Sequence, residues 1–395
     1  MIIGVVGGPN KGKSTFFSAA TLVDVEIANR PFTTIKPNQG TAYVSTKCVH
    51  EEKEKPCQPV NSKCENSIRL IPITLLDVAG LVPDAHKGKG LGNAFMNDLM
   101  QAKALIQVLD ASGRTDLEGN SVESNDPAED VRFLEKEISY WINGILTKNW
   151  GKISKQASLA GKASEGLANQ LTGLGITEDE VKSVLEKGSF SEKPDSWSEE
   201  EILRFSEEIR KKSKPMIVVA NKIDLEGAKE NYERLVKEFP QHIIIPCCSE
   251  AELALRKAAK AGIIEYVPGS SEFKLLKQEL PEKQRKALEF IMSNVLKKWG
   301  STGVQQAINK TAFGLLSLIV VYPVQDSNKW QSGKGNFLPD AYLLRKGSTA
   351  IRLAEAIHSG FVERFIAAVD CRTGQRIGKD HELKNNDVIK IQLSH

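Results

Sequence analysis

Gly7-Gly8-Pro9-Asn10-Lys11-Gly12-Lys13-Ser14 constrains the fold more than any other stretch of the chain. It has the spacing G-x-x-x-x-G-K-[ST], and its flanks supply the context that this spacing needs. Before it, Ile2-Ile3-Gly4-Val5-Val6 is a short β-rich apolar run; after it, Thr15-Phe16-Phe17-Ser18-Ala19-Ala20 opens a helix. A strand, a glycine-rich turn and a helix in that order gather backbone N–H groups and a helix N-terminus around one point. Such a point suits phosphate. Lys13 is expected to reach the β/γ-phosphates of a nucleotide and the Ser14 hydroxyl to bind Mg²⁺. Gly7, Gly8, Pro9, Asn10, Lys11, Gly12 and Thr15 complete the expected cradle. The bland alternative is a glycine-rich turn that matches by chance.

Length and composition set wide bounds. With 395 residues the chain exceeds one typical domain, so two or three are expected. A net charge of +3 permits a nucleic-acid partner without arguing for one. The longest apolar runs, such as Leu315-Leu316-Ser317-Leu318-Ile319-Val320-Val321, are too short to span a bilayer. The N-terminus runs straight into the first strand, leaving no room for a signal peptide, so a cytoplasmic protein is expected. Cys48, Cys57 and Cys64 fall near His50 in one polar stretch. They lack the tight C-x-x-C hooks of structural zinc sites. A lightly structured loop with free thiols is expected there, with zinc as the alternative.

Along the chain, strands and helices first alternate in the manner of a parallel sheet with crossovers. Ile68 to Leu76 reads as a strand ending at Asp77-Val78-Ala79-Gly80, and Ala104 to Asp110 as a buried one. The rhythm then breaks. Val131, Leu134, Ile138, Trp141, Ile142 and Ile145 recur at the spacing of one buried helical face. Trp141 and Trp150 are expected to pack that region's core rather than stack on a base. Ser198 with Glu201 makes a capping box for another helix. About a hundred residues therefore read as a helical insertion. The α/β rhythm resumes at Pro215 to Ala220, and from about Phe313 the pattern changes to a small α+β sheet with one crossing helix.

Two later motifs narrow the chemistry. Asp77-x-x-Gly80 ends a buried strand, where the carboxylate can hold a Mg²⁺-bound water and the Gly80 N–H can sense a γ-phosphate. Asn221-Lys222-x-Asp224 ends another; an Asp carboxylate there can accept two N–H bonds from guanine, a pattern adenine does not offer. The Lys222 stem can cover the base plane. Each motif alone competes with an ordinary polar turn. All three in order, each at a strand's C-terminal end, are more specific, because open α/β sheets bind ligands at that edge.

By these residues the chain resembles translation-factor-type GTPases, and more closely the Obg family in its YchF branch. The resemblance makes Pro31 to Asn38 switch I, with Thr34 as the Mg²⁺/γ-phosphate residue, and makes Asp77 to Val82 with Gly88 to Phe95 switch II. Its implied architecture is an α/β P-loop NTPase, or G domain, with a helical/coiled-coil insertion and a C-terminal β-grasp (TGS-like) α+β domain. The expected boundaries are 1–112 and 214–312 for the G domain, 113–213 for the insertion and 313–395 for the TGS-like domain. The resemblance implies Mg²⁺ as cofactor, GTP as substrate, a cytoplasmic location, the ribosome or rRNA as partner, and no membrane; a monomer is favoured.

Two departures bear on mechanism. Relatives that bind ATP carry Glu as the last residue of the Asn-Lys-x-Asp motif, whereas this chain has Asp224, which favours GTP. Where many GTPases place a water-orienting Gln, this chain has Leu81, so slow intrinsic hydrolysis is expected. Asn10 resembles the asparagine of relatives that coordinate K⁺, and joins Lys13, Thr34 and Gly80 as a candidate catalytic residue. Cys248-Ser249-Glu250 takes the place of the family's last guanine-binding run, with the Ser249 N–H as candidate donor to the guanine O6. An ATP-preferring YchF-type NTPase, a metabolic P-loop phosphotransferase and an RNA-binding scaffold remain as alternatives.

Overall fold

The computed structural model describes residues 1–21, 38–78, 80, 98–159, 163–191, 193–277 and 279–394. The described strands begin with β1 (Ile2–Val6), β2 (Gln39–Lys47), β3 (Lys63–Glu65), β4 (Ile68–Asp77), β5 (Ala104–Asp110), β6 (Met216–Asn221) and β7 (Ile244–Pro246). They continue with the short pair β8 (Ile264–Glu265) and β9 (Lys274–Leu275), then β10 (Leu318–Val324), β11 (Tyr342–Arg345), β12 (Phe365–Asp370), β13 (Arg376–Ile377) and β14 (Asp387–Leu393). Contacts divide the chain into two units: Met1–Ala42 with Thr74–Ala307, and Tyr43–Ile73 with Ile308–His395.

In the first unit the parallel strands follow the order β4-β1-β5-β6-β7. Every residue of β5 and β6 is buried, which accounts for their unbroken apolar runs. The register aligns strand ends: Val5 lies opposite Asp77, Val6 opposite Gln107, and Asp110 opposite Asn221. Asp77, Asp110 and Asn221 therefore emerge at one edge of the sheet. Crossovers force this arrangement, since parallel strands all point the same way.

The predicted helical stretch is present. Helix Pro127–Thr147 starts with Pro at its first turn and an Asp126 cap that accepts from the Ala128 N–H at 2.9 Å. Val131, Leu134, Ile138 and Ile142 are buried; Trp141 and Ile145 lie partly buried against the cluster of Leu134, Ile138 and Ile142, while Val131 packs with Leu109 and Ala128. The Ser198/Glu201 capping box forms at the head of helix Glu199–Ser213. Trp150 packs on Trp197 with ring centroids 5.7 Å apart, so it belongs to this apolar cluster as expected. Residues 282–299 change helix type along their length: Glu282–Phe290 and Lys297–Trp299 are α-helical, and Ile291–Leu296 between them is π-helical.

The second unit contains a five-stranded sheet in the order β11-β10-β14-β12-β13, with β10 and β14 parallel and the other pairs antiparallel. Alternation along β10 decides what covers each face. Ile319 and Val321 pack with Ala350 and Leu353 of the crossing helix Ala350–Ile357. Val320, Tyr322 and Val324 pack instead with Cys48, Val49 and Ile71, and with Trp330 and Phe337. Residues 43–73, which the sequence reading places in the first G-domain segment, thus cover the second face of this sheet. Backbone ties fix them there: Gln58 N–H to Phe337 O at 2.8 Å and Val60 N–H to Pro339 O at 2.7 Å. A sheet with apolar residues on both faces needs two covers, and the single crossing helix supplies one.

Candidate functional site

Helix Lys13–Thr21 begins directly after the glycine-rich turn, so its first N–H groups, which have no intrahelical acceptor, open toward that turn. Two glycines are required for this close packing. Gly7 (φ 151°) would drive a Cβ into the Val108 carbonyl, and Gly12 (φ 90°) would drive one into the Asn221 side-chain amide. Asn10 also takes a left-handed conformation, φ 57°, and its Nδ2 donates to the Gly119 carbonyl at 2.9 Å.

The cationic and hydroxyl groups of the turn converge on Asp77. Lys13 Nζ lies 2.6 Å from Asp77 Oδ1, and Ser14 Oγ donates to Asp77 Oδ2 at 3.3 Å. Asp98 stands close by; burial, and then the Asp77 charge, push its carboxyl up from the usual range. An ideal Cβ on Gly80 would sit 3.7 Å from the Pro9 nitrogen, so the D-x-x-G glycine lies against the turn. A hydroxyl and a carboxylate side by side form a hard oxygen donor set of the kind Mg²⁺ takes. Ser14 and Asp77 fit that ion. Thr34, Leu81 and the 88–95 part of switch II lie outside the described residues.

The second wall is a clasp centred on Asn221. Its Oδ1 accepts from both the backbone N–H (3.0 Å) and the hydroxyl (2.9 Å) of Ser249, while its Nδ2 donates to the Lys11 carbonyl at 3.0 Å. One buried side chain therefore joins the P-loop, the end of β6 and the start of helix Ser249–Lys260. Here the geometry corrects the expectation for Ser249: its N–H is already bonded to Asn221 and does not face outward for guanine. Glu250, exposed in the first turn of the same helix, presents the next N–H. Cys248 is buried, and burial followed by the facing Asp224 carboxylate pushes its thiol up. Cys248 thus marks where Asp224 stands. Lys222 (φ 59°) reaches back to the Asn10 carbonyl at 3.1 Å and to Asp110 Oδ2 at 2.8 Å.

Lys11 departs from the expected pattern. Its side chain is fully buried and turns away from the cradle, donating to Thr115 O at 2.8 Å and pairing with Asp130 Oδ2 at 2.9 Å. Only its backbone belongs to the phosphate turn. Burial pushes the Asp130 carboxyl up to about 6, against the pull of the Lys11 ammonium.

Sequence reasoning missed the supports beneath these groups. Asp110 is desolvated, but bonds from Lys222, Ser112 and Thr115 outweigh that burial and hold its carboxyl below the usual range. Residues 115–121 form a loop whose Gly119 lies so close to Pro9 that a Cβ would meet the proline ring at 2.7 Å. The clue available in sequence was Asp110-x-Ser112 at a strand end followed by glycine, a common turn pattern that carries little information alone.

Residues 2–142 match the family described as 50S ribosome-binding GTPase, residues 219–326 the Obg-like GTPase YGR210-like, G4 motif-containing domain, and residues 334–392 the TGS domain. An uncharacterized GTP-binding protein of Methanocaldococcus jannaschii is 50% identical over 99% of this chain and 98% of its own length. The ribosome-binding ATPase YchF of Bacillus subtilis is 28% identical over 92% of this chain and 87% of its own length. A crystal structure of a GTP-binding protein from Pyrococcus horikoshii superposes with a TM-score of 0.81 at 41% identity, covering both chains fully. The chain belongs to the Obg-like GTPase family, in its YchF branch, as a P-loop NTPase with a C-terminal TGS domain.

Proposed function

We propose that the protein is a Mg²⁺-dependent switch that binds and hydrolyses GTP and acts on the ribosome. One observation carries the reading: Lys13, Ser14 and Asp77, from two separate motifs, meet within hydrogen-bonding distance at the sheet edge where Asp110 and Asn221 also end. In the nucleotide-bound state Lys13 exchanges Asp77 for the β/γ-phosphates, and Ser14 and Asp77 hold Mg²⁺, directly or through water. When bound, that ion supplies positive charge beside the phosphates. Thr34 and Gly80 sense the γ-phosphate and release on hydrolysis.

Base choice rests on Asp224. Its carboxylate accepts two N–H bonds from guanine, while Lys222, anchored to Asn10 and Asp110, lays its stem along the base. The Glu250 N–H, rather than that of Ser249, meets the guanine O6. Leu81 offers no hydrogen bond to an attacking water, so intrinsic turnover is slow and a partner or ion accelerates it. Asn10 Oδ1 is the side-chain atom left for K⁺, its Nδ2 being bonded to Gly119. The ribosome is supported by the family description for residues 2–142 and the name of the Bacillus relative.

Fluorescent GTP and ATP analogues titrated with and without Mg²⁺, followed by turnover with and without ribosomes, test the reading. Tighter GTP binding that needs Mg²⁺, and turnover stimulated by ribosomes, are expected. ATP binding as tight as GTP overturns the role of Asp224; unchanged turnover with ribosomes removes that partner; equal rates in Na⁺ and K⁺ remove the ion at Asn10.

A further inference from the structure

The fold brings together a second constellation, in the other unit and unrelated to phosphate. Cys48 caps a short 3₁₀ turn (Val49–Lys53) that contains His50; Cys57 follows in a loop; Cys64 lies in β3. Asn66 and Ser67, at φ 47° and 62°, form the two-residue turn that brings β4 back beside β3, pairing Cys64 with Arg69. The three Sγ atoms and the imidazole nitrogen all lie within 4.8 Å of one another.

We propose that Cys48, His50, Cys57 and Cys64 bind one zinc ion as a closed, structural Cys₃His site. Two further observations support it. The spacings are those of a coordination shell. Zn–S bonds of about 2.3 Å and a Zn–N bond of about 2.0–2.1 Å at tetrahedral angles give S···S edges of about 3.8 Å and S···N edges of about 3.5 Å. Here Cys48 Sγ lies 3.9 Å from Cys57 Sγ, and His50 Nδ1 lies 3.4 and 3.5 Å from Cys57 and Cys64. His50 Nε2 faces Ser67 Oγ at 3.4 Å, the outer contact that fixes a metal-binding imidazole's tautomer and leaves Nδ1 for the ion.

Charge supplies the second observation. Arg69 is fully buried, and among the described residues it pairs with no carboxylate. Its guanidinium lies 3.4 Å from Cys57 Sγ, donates to the Leu338 carbonyl at 2.9 Å, covers the Tyr322 ring and leaves Nε without a partner. A buried cation needs a counter-charge. Three thiolates around one Zn²⁺ carry a net charge of −1, which neutralises Arg69 and makes its N–H a bond to a ligating sulfur. Four protein ligands leave no open position, so the site is structural rather than catalytic. It pins residues 48–69, which contribute few apolar side chains of their own, onto the sheet face of Val320, Tyr322 and Val324.

The full-length protein, purified under reducing conditions without chelator, is expected to hold about one zinc per chain by plasma mass spectrometry. After metal exchange, cobalt is expected to give the intense d–d bands of a tetrahedral ion and a thiolate charge-transfer band. His50→Cys, which keeps four ligands, is expected to retain the metal, and Cys64→Ser to lose most of it. Below about 0.1 zinc per chain after zinc loading, or an octahedral cobalt spectrum in the wild-type protein, overturns the proposal. So does a Cys48–Cys57 disulfide found in protein taken from a reducing cytosol. The wild-type readings decide even if Cys64→Ser fails to fold.

Discussion

The phosphate edge of the first unit and the Cys/His cluster of the second are both sites assembled from separate segments, yet they differ in what assembles them. At the phosphate edge the sheet performs the convergence: β4, β5 and β6 run parallel, so whatever ends each strand arrives at one rim. The motifs are short contiguous words, and much of their work is done by backbone and glycine. In the Cys/His cluster no element imposes convergence. A 3₁₀ turn and its cap carry two ligands, a loop carries one and strand β3 the fourth, and they meet where this segment packs against β10. One site is specified by topology, the other by cross-linking.

The sharpest break of that contrast is Lys13→Ala. If the two sites are chemically separate, GTP turnover falls by about 100-fold or more, the scale on which removing one preorganised donor to a developing oxyanion acts. Zinc content stays at about one per chain. A loss of zinc in this variant, or turnover within tenfold of wild type, breaks the comparison. Next in size is base choice. Asp224→Asn replaces one acceptor with a donor, which suits the C2 carbonyl of xanthine and opposes the 2-amino group of guanine. GTP affinity is expected to drop about 100-fold, with xanthosine triphosphate gaining, as for sites that read hydrogen bonds rather than shape. Competition binding with both nucleotides measures this directly.

Asn221→Ala has a smaller and mixed effect. It removes the acceptor of the buried Ser249 N–H and the donor to the Lys11 carbonyl. Leaving such groups unpaired costs about 1–3 kcal/mol each, so both urea stability and GTP affinity fall. An affinity loss with unchanged stability means that Asn221 contacts the nucleotide rather than holding the walls together.

These variants also mark where the sequence was readable. Gly7, Gly12, Lys13, Ser14 and Asp77 could be named because each motif fixes spacing along one strand and its following turn. The helix face from Val131 to Ile142 was likewise readable, because burial imposes a period on sequence. Side-chain direction was not. Nothing in Gly-x-x-x-x-Gly-Lys says that Lys11 turns inward to Asp130, 119 residues away, or that Ser249 donates to Asn221. The packing of 43–73 against β10 was unreadable for a related reason. Its anchors at Phe337, Pro339 and Ala341 are backbone groups, and these leave no sequence signal. The zinc ligands were visible as residues and unreadable as a site, since gaps of two, seven and seven follow no local hook.

The Lys11–Asp130 pair gives the smallest effect and tests whether the phosphate edge draws on anything beyond its motifs. The Asp130 carboxyl titrates at about 6 in the folded protein, pushed up by burial, with Lys11 opposing that shift and the Asp110 and Glu129 charges adding to it. An ordinary Asp in the unfolded chain titrates near 3.9. Between about pH 4 and pH 6 the folded state therefore holds more protons at this position than the unfolded chain, and stability falls as pH rises through that window. Asp130→Asn removes that titration while keeping an oxygen near the Lys11 ammonium. Urea unfolding of both proteins from pH 4 to pH 7.5 should show the wild type losing stability relative to the variant up to about pH 6 and running parallel above it. GTP affinity should shift by less than threefold, because Lys11 reaches the cradle only through its backbone. Parallel curves throughout would mean that Lys11 keeps Asp130 ionised across the range; a large affinity loss would mean that this buried pair, whose Asp130 belongs to no motif, sets the shape of the P-loop.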